Sequence, residues 1–304
     1  MAKLATIFVI IGASLWGVDG IVLRPLLYTL PVPLVVLIES SIVAIVLTPF
    51  FIKHLPIIKK LRPMDWLAFI GVALFGGAIG TMAITKALFY VNYVNLSIVV
   101  LIQKLQPVFA ISLAAIFLKE HLPKSFFIWA AAAMFGAYLM TFGLSVPEFS
   151  TSDKTSLAAF FALIATASFG SSTVLSKRAL KNVSFNTGTY LRFLITSVIM
   201  LVIVLSSGLI WDVNMVTQKQ GMIFLLIAFT TGGPAIFLYY YGLKRITASV
   251  ATIGELAFPL TAVILEYILR HNLLGTIQWI GVVILLASII KVSQIQTRAM
   301  KKQT

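Results

Sequence analysis

Residues 12–24 read Gly12-Ala-Ser-Leu-Trp-Gly-Val-Asp-Gly-Ile-Val-Leu-Arg24, and residues 165–177 read Ala165-Thr-Ala-Ser-Phe-Gly-Ser-Ser-Thr-Val-Leu-Ser-Lys177. Both stretches carry small residues, an aromatic residue before a glycine, an aliphatic pair and a terminal cation, in the same order. A second pair runs from Leu96-Ser97 to Pro107 and from Ala248-Ser249 to Pro259, and a Gly-Gly pair recurs at 76–77 and 232–233. This shared order and spacing predict an internal repeat that covers most of the chain.

The composition places most of the chain in lipid. Of its 304 residues, 60% are hydrophobic and only 11% are charged, and the mean hydropathy is +1.04. A soluble domain carries about 25% charged residues, so this chain has too few charges to cover a soluble surface. Runs long enough to cross a bilayer, about 20 residues each, occur at residues 4–23, 32–52, 66–90, 95–118, 124–143, 157–176, 187–208, 221–243, 248–269 and 275–293.

Helix is the expected conformation of these runs, since backbone amides in hydrocarbon must be satisfied within the segment. Together with the repeat, the runs predict an all-α membrane protein with ten transmembrane helices, arranged as two inverted five-helix repeats around a central cavity. The first repeat is expected in residues 1–145 and the second in residues 155–304. Because five is odd, the second repeat enters the membrane from the opposite side, an arrangement that secondary transporters use for alternating access.

The distribution of basic residues predicts the orientation. With the N-terminus in the cytoplasm, 16 of the 23 Lys and Arg residues fall in inside segments, 4 fall outside and 3 lie within the runs. The positive-inside rule then places both termini in the cytoplasm, in a multi-pass protein of a bacterial-type inner (plasma) membrane. The net charge of +14 arises from these short loops, so we expect membrane lipid and not nucleic acid as the partner. We interpret the first run as a retained span rather than a signal peptide, because it carries Asp19 and no cleavage site follows.

Other protein classes find little support in the sequence. The chain has no cysteine, and its three histidines lie at the edges of different runs without a metal-ligand spacing. No HExxH or GxSxG motif is present, so we expect no enzyme activity, no metal and no cofactor. A channel and a sensor or assembly subunit remain open as alternatives to a transporter.

The chain resembles the EamA branch of the drug/metabolite transporter superfamily. The resemblance rests on the two five-helix repeats, the aromatic-Gly pair in the first span of each repeat, and the Ser…Pro pattern of each fourth span. Leu118-Lys-Glu-His-Leu122 is similar to the stretch that ends the fourth span in that family, whereas Arg270-His-Asn-Leu-Leu274 lacks the acidic residue. The resemblance implies a carrier of a small metabolite, such as an amino acid, nucleobase, sugar or drug, with export as its usual direction.

Seven ionisable residues lie inside apolar runs: Asp19, Glu39, Lys86, Lys104, Arg192, Glu255 and Glu266. Each costs about 2.5–3.5 kcal/mol at a helix centre, so such residues usually face a bundle interior or an aqueous cavity. Lys104 and Glu255 fall on the two matched fourth spans. We predict that they border the cavity and pair, or nearly pair, in the absence of substrate, and that protonation of Glu255 couples transport to protons. A fixed structural ion pair is the alternative.

A second candidate cluster, at the outer gate, contains Asp19, Glu39 and Lys86. The alternative is that Lys86 snorkels outward and that Asp19 caps the end of the first span. Arg192 and Glu266 lie close to the membrane interfaces, which favours structural roles for both.

Further residues could line the substrate pathway: Trp16, Tyr90, Gln103, Gln106 and, from the triplet 239–241, Tyr239. At most one or two of the three tyrosines can face inward, and packing against neighbours is the alternative for each residue. Pro107 and Pro259 recur at matched positions, and proline permits a kink, so we predict that they act as hinges. The Gly76–Gly80 GxxxG motif allows close helix approach, in a monomer or a weak homodimer.

The predicted function is therefore alternating-access transport of a small organic solute, with an amino acid or related metabolite as the preferred substrate. Four intramembrane acids against three bases suit a zwitterion, whereas Lys104 beside Gln103 could favour an organic anion or a drug-like compound.

Overall fold

A computed structural model gives the architecture of the chain. The structure describes residues 2–51, 58, 61–90, 97–145, 153–270 and 275–301. The side chain of Glu266 and residues 271–274 lie outside this description, so the predictions for Glu266 and for the end of the second fourth span are not addressed by it.

The described residues form fourteen α-helices. They are α1 (Ala2–Val18), α2 (Val32–Phe51), α3 (Pro63–Val72), α4 (Gly80–Tyr90), α5 (Ser97–Gln103), α6 (Gln106–Phe117), α7 (Lys124–Phe142), α8 (Asp153–Ala179), α9 (Phe185–Ser206), α10 (Gln218–Ile227), α11 (Gly233–Leu243), α12 (Ala248–Gly254), α13 (Ala257–Arg270) and α14 (Thr276–Lys301).

These helices make up ten spans that are long and apolar enough to cross a membrane, which confirms the predicted fold class. Their bounds are Leu4–Leu27, Val32–Phe51, Pro63–Ala87, Val99–Phe117, Lys124–Phe142, Ser156–Ala179, Phe185–Ser206, Gln218–Leu243, Ala248–Leu269 and Thr276–Arg298. The first span runs four residues beyond its predicted end at residue 23. It continues as a π-helical turn at Asp19–Leu23 and a 3₁₀ turn at Arg24–Leu27.

The third and fourth spans of both repeats are interrupted at matched places. π-Helical segments at Ala73–Ile79 and Ala228–Gly232 separate the two halves of the third and eighth spans, at the recurring Gly-Gly pairs. The fourth span breaks between α5 and α6, just before Pro107, and the ninth between α12 and α13, just before Pro259. Because proline cannot donate a backbone hydrogen bond to the preceding turn, it favours a break at these positions.

Gly17 and Gly170 show how the two repeats pack. A Cβ at Gly17 would lie 2.8 Å from the carbonyl oxygen of Phe258, and a Cβ at Gly170 would lie 3.2 Å from that of Gln106. Phe258 and Gln106 each immediately precede the matched proline of the opposite repeat. Each glycine therefore lets the first span of its repeat approach the broken fourth span of the other.

The remaining contacts follow the same exchange. α1 packs on α11 and α13, while its counterpart α8 packs on α4 and α6, and α2 packs on its own counterpart α9. α7 crosses α14 at Gly136 and Gly281, where a Cβ at Gly136 would lie 2.9 Å from the carbonyl oxygen of Gly281. Equivalent elements thus meet equivalent partners, as expected for two repeats related by a pseudo-two-fold axis.

Candidate functional site

A carboxylate is held between the two repeats by three donors, which we call the Glu255 cluster: Gln106, Thr173, Tyr239 and Glu255. The Gln106 amide donates to Glu255 Oε2 at 2.8 Å. The hydroxyls of Tyr239 and Thr173 donate to Glu255 Oε1 at 2.5 and 3.1 Å. Glu255 lies in the break of the ninth span and Gln106 begins α6 after the break of the fourth span. The matched breaks are therefore bonded to each other through side chains.

Trp16 lies beside this cluster. Its ring centroid is 5.1 Å from that of Tyr239, which brings the first span to the same place. Tyr239 and Thr173 are buried, whereas Trp16, Gln106 and Glu255 keep partial exposure although five spans surround them. The partly exposed groups offer an aromatic face, an amide and a carboxylate, a mixture typical of a small-molecule site.

The predicted pairing of Lys104 with Glu255 is wrong for this conformation. Among the described residues, no salt bridge joins the two side chains, and the oxygens of Glu255 are taken by neutral donors. Lys104 lies at the break of the fourth span, two positions before Gln106, so it leaves the helix in a different direction from the residue that reaches Glu255. Gln103 precedes the same break and is partly buried. The substrate roles predicted for Gln103 and Lys104 stay predictions.

The side chains of the three consecutive tyrosines point in different directions, because consecutive residues of an α-helix are about 100° apart around its axis. Tyr239 points to Glu255, and the Tyr240 hydroxyl lies 3.0 Å from Ser176 Oγ and accepts from Arg192 Nη1 at 3.3 Å. Tyr241 packs its ring against the guanidinium of Arg245 at 3.6 Å. Tyr239 alone of the three reaches the carboxylate, and Arg192 is held inside the bundle by Tyr240.

A second charged group, the Arg24 triad, consists of Asp19, Arg24 and Glu39. Arg24 Nη2 lies 2.7 Å from Asp19 Oδ2 and 3.2 Å from Glu39 Oε2. Thr231, from the π segment of the eighth span, donates to Asp19 Oδ1 at 3.4 Å. Asp19 and Glu39 were predicted to lie together, and they do. The cation that joins them is Arg24, which follows the predicted end of the first run at residue 23.

No described salt bridge joins Lys86 to this triad, and its predicted place in the cluster stays a prediction. Its ammonium group is exposed and lies 5.3 Å from the ring centroid of Phe161, on which Tyr90 also stacks. Phe161 and Thr173 are twelve residues apart on α8, about 18 Å along the helix. Lys86 and Tyr90 therefore lie far from the Glu255 cluster, and the cavity role predicted for them gains no support.

Polar contacts close the end of the bundle opposite the Arg24 triad. We call it the basic end, and it contains residues 118–124, 177–185 and 243–248. Both oxygens of Glu120 accept from the start of α12, at the amide of Ala248 and at Ser249. Arg178 forms a 2.8 Å ion pair with the buried Asp65. Both contacts join the first repeat to the second.

Two lysines at the basic end each donate to backbone carbonyls of the segment next to the other lysine. Lys177 Nζ donates to the carbonyl oxygens of Leu243 and Lys244 at 2.9 and 3.0 Å. Lys244 donates in return to the carbonyl oxygens of Leu180 and Val183. These bonds satisfy carbonyls that the helix ends leave free. Burial and the neighbouring Arg245 guanidinium lower the pKa of the Lys244 ammonium group.

An apolar crevice lies apart from all these groups. It encloses about 330 Å³ between α2, α9 and the eighth span, and its lining includes Val43, Leu47, Phe229 and Phe237. Its walls offer almost no polar surface, which fits an acyl chain better than a polar metabolite.

The Glu255 cluster, the Arg24 triad and the Trp16–Tyr239 pair thus lie between inverted repeats. The Glu255 cluster is the nearer of the two ionisable groups to the basic end, and the Arg24 triad lies toward the other end of the bundle. Together with the ten spans, this arrangement is that of a membrane transporter of small molecules. The chain belongs to the EamA-like transporter family, whose profile matches residues 3–142 and, a second time, residues 156–294. This confirms the resemblance found in the sequence, and the family is one of transporters rather than enzymes.

Two relatives and one solved structure extend this assignment. The chain is 46% identical over 290 residues to the riboflavin transporter ImpX of Fusobacterium nucleatum subsp. nucleatum, which covers 95% of this chain and 97% of that protein. It is 26% identical over 193 residues to the uncharacterized transporter YwfM of Bacillus subtilis, covering 62% and 60% of the two chains. A solved crystal structure shares the fold with a TM-score of 0.71, at 14% identity over 98% of both chains.

Proposed function

We propose that this protein carries riboflavin, or a flavin closely related to it, across a bacterial-type inner membrane by alternating access. The observation that carries the proposal is the 46% identity to a riboflavin transporter over 95% of the chain. The match is not confined to one repeat, since an alignment of that length includes both broken fourth spans and therefore the Glu255 cluster.

The residues between the repeats suit a flavin. Riboflavin is an uncharged molecule with a flat three-ring system, an imide edge and a polyhydroxyl chain. The Trp16–Tyr239 pair offers aromatic surface for the ring system. Gln106, and Gln103 one helical turn before it, offer amides that can donate and accept. Thr173 adds a hydroxyl group at the same place.

An amino acid, the substrate preferred from the sequence, fits these contacts less well. A zwitterion needs a free anion and a free cation in the site. The Glu255 oxygens already accept from three protein donors, so the Glu255 cluster offers no free carboxylate to the ammonium group of an amino acid. The bias of basic residues supports a cytoplasmic location for both termini. Export stays the predicted direction, while the gradients decide the net flux.

Transport in proteoliposomes tests the proposal. Purified protein should take up labelled riboflavin with saturation, and excess unlabelled riboflavin should compete while a mixture of amino acids should not. Trp16→Ala should weaken riboflavin binding, measured by quenching of flavin fluorescence. Trp211→Ala is the matched control, because Trp211 is 76% exposed in the turn after α9. Saturable amino acid flux without riboflavin flux would overturn the proposal.

A further inference from the structure

The Arg24 triad carries an uncompensated negative charge. Its two carboxylates share one guanidinium, and Asp19 and Glu39 keep only 9% and 14% of their side-chain surface exposed. Arg24 binds one oxygen of Glu39, and the other, Oε1, is fully buried and has no hydrogen-bond partner among the described residues. A buried carboxylate oxygen without a donor is costly, and a proton would neutralise the charge of the triad.

The second repeat has no carboxylates at the positions that match Asp19 and Glu39. Gly17 and Gly170 are 153 residues apart, and so are the first residues of α2 and α9. At that offset Asp19 corresponds to Ser172, Arg24 to Lys177 and Glu39 to Arg192. Lys177 binds backbone carbonyls, which do not titrate. The carboxylates are therefore a feature of the first repeat alone and not of the shared fold.

Hydrogen bonding separates Glu39 from Glu255 as the proton acceptor. Three donors hold the ionised form of Glu255, and a proton on it would displace at least one of them. In the described part of the chain, no donor binds Glu39 Oε1, so a proton there displaces none. Building on the proposed transport function, we propose that Glu39 is the site that binds a proton during the transport cycle, and that the Arg24 triad couples substrate flux to the proton gradient. The triad changes its net charge from −1 to 0 when a proton from water binds the carboxylate and forms a carboxylic acid, and no other covalent bond is made or broken.

The charges that act on Glu39 are those of Arg24 and Asp19. The π segment Ala228–Gly232 of the eighth span, which contains Thr231, has no titratable residue. Other elements packed against α2 carry titratable side chains, and none of those described contacts Glu39. Asp212 lies in the turn between α9 and α10 and Lys219 in the first turn of α10. The others contact different residues: Tyr190 contacts Thr48, Arg192 contacts Tyr240, and Lys86 and Tyr90 contact Phe161.

Two helices connect the triad to the Glu255 cluster. Asp19 follows Trp16 by three residues on the first span, and Thr231 precedes Tyr239 by eight residues on the eighth. Arg24 ties α2 to the end of the first span through Glu39. Protonation of Glu39 weakens that tie, so α2 can separate from the two spans that present Trp16 and Tyr239. The proton and the substrate then act on the same moving elements, which is the requirement for coupling.

The test measures riboflavin accumulation in proteoliposomes with and without an imposed pH gradient. Wild-type protein and Asp212→Asn, a control acid outside the triad, should accumulate more substrate with the gradient. The ratio of the two conditions should fall to one in Glu39→Gln, while Glu39→Asp, which keeps a titratable group, should retain a ratio above one. Wild-type protein that ignores the gradient, or Glu39→Gln that still follows it, would overturn the inference.

A second measurement needs no substrate. Infrared difference spectra between mildly acidic and mildly alkaline pH should show the carbonyl band of a buried carboxylic acid in wild-type protein and in Asp212→Asn. That band should be absent in Glu39→Gln, and its persistence there would assign the proton elsewhere. A protein that loses the band in Glu39→Gln but does not exchange riboflavin would retain the proton site and lose the proposed substrate.

Discussion

Ser249 donates both its backbone N–H and its hydroxyl to Oε2 of Glu120, at 3.1 and 2.7 Å, across the boundary between the two repeats. The Ala248 amide donates to the other oxygen at 2.7 Å. Glu120 is the acid of the Leu118–Leu122 stretch, so this motif residue caps the first turn of α12 from the opposite repeat. The contact gives the motif a physical role: it holds the basic end closed.

We expect Glu120→Ala to loosen the basic end. Loss of an N-cap acceptor costs about 0.5–2 kcal/mol, and the amides at the start of α12 should exchange their hydrogens faster, measured by mass spectrometry. Glu120→Gln keeps one carbonyl oxygen and should fall between the wild type and the alanine variant. Equal exchange in all three proteins would show that the contact does not hold α12.

Larger side chains at Gly17 and Gly170 should destabilise the protein to a similar degree. A Cβ at either position meets backbone atoms of the opposite repeat within about 3 Å, and overpacking typically costs about 1–3 kcal/mol. Gly17→Val and Gly170→Val should therefore both lower the thermal unfolding midpoint in detergent. Gly221→Ala is the control, because its Cβ meets nothing within 4 Å on a helix where alanine is favoured. An unchanged midpoint in either valine variant would contradict the packing described.

On the proposed function, Tyr239→Phe should reduce riboflavin transport while leaving the fold intact. The variant keeps the ring beside Trp16 and removes the hydroxyl that donates to Glu255 at 2.5 Å. A hydrogen bond to a charged group contributes about 1.5–3 kcal/mol, so an effect of about tenfold or more on the maximal rate is expected. Tyr241→Phe is matched in sequence and lacks the carboxylate contact, and its transport should equal that of the wild type. Equal rates in both variants would remove Tyr239 from the site.

Pro107→Ala should slow turnover more than it weakens binding. An alanine at 107 restores a backbone N–H that can bond to the carbonyl of Gln103 and close the break between α5 and α6. The maximal rate should fall several-fold with little change in the half-saturating riboflavin concentration, measured in the same proteoliposome assay. Pro63→Ala, in the first turn of α3, is the control and should transport normally. A normal rate in Pro107→Ala would exclude the predicted hinge role.

The sequence predicted the spans, the inverted repeats and part of the Glu255 cluster. The apolar runs and the distribution of basic residues indicate how deep in the membrane a residue lies. The repeat pairs Pro107 with Pro259, and this pairing places Gln106 and Glu255 near matched breaks. The aromatic-Gly motif placed Trp16 in the first span, where the structure brings it to Tyr239.

The sequence could not predict the direction in which side chains leave an interrupted helix. The break after Gln103 changes the angular register, so Gln106 meets Glu255 and Lys104 does not. Arg24 was missed because the apolar run ends at residue 23, whereas the π and 3₁₀ turns carry it back toward Asp19. Thr173 was missed because a threonine in a span gives no charge signal, although its place one turn after Gly170 was available.

Residue 39 of the first repeat is an acid, and its counterpart in the second repeat is Arg192. The two repeats therefore share a backbone plan and carry opposite electrical signs at one equivalent position. The inward-open and outward-open states of the carrier are then electrically unequal, even though the helices are related by a pseudo-two-fold axis. We expect unequal half-saturation constants on the two faces of the membrane, with the solute gradients still fixing the final distribution.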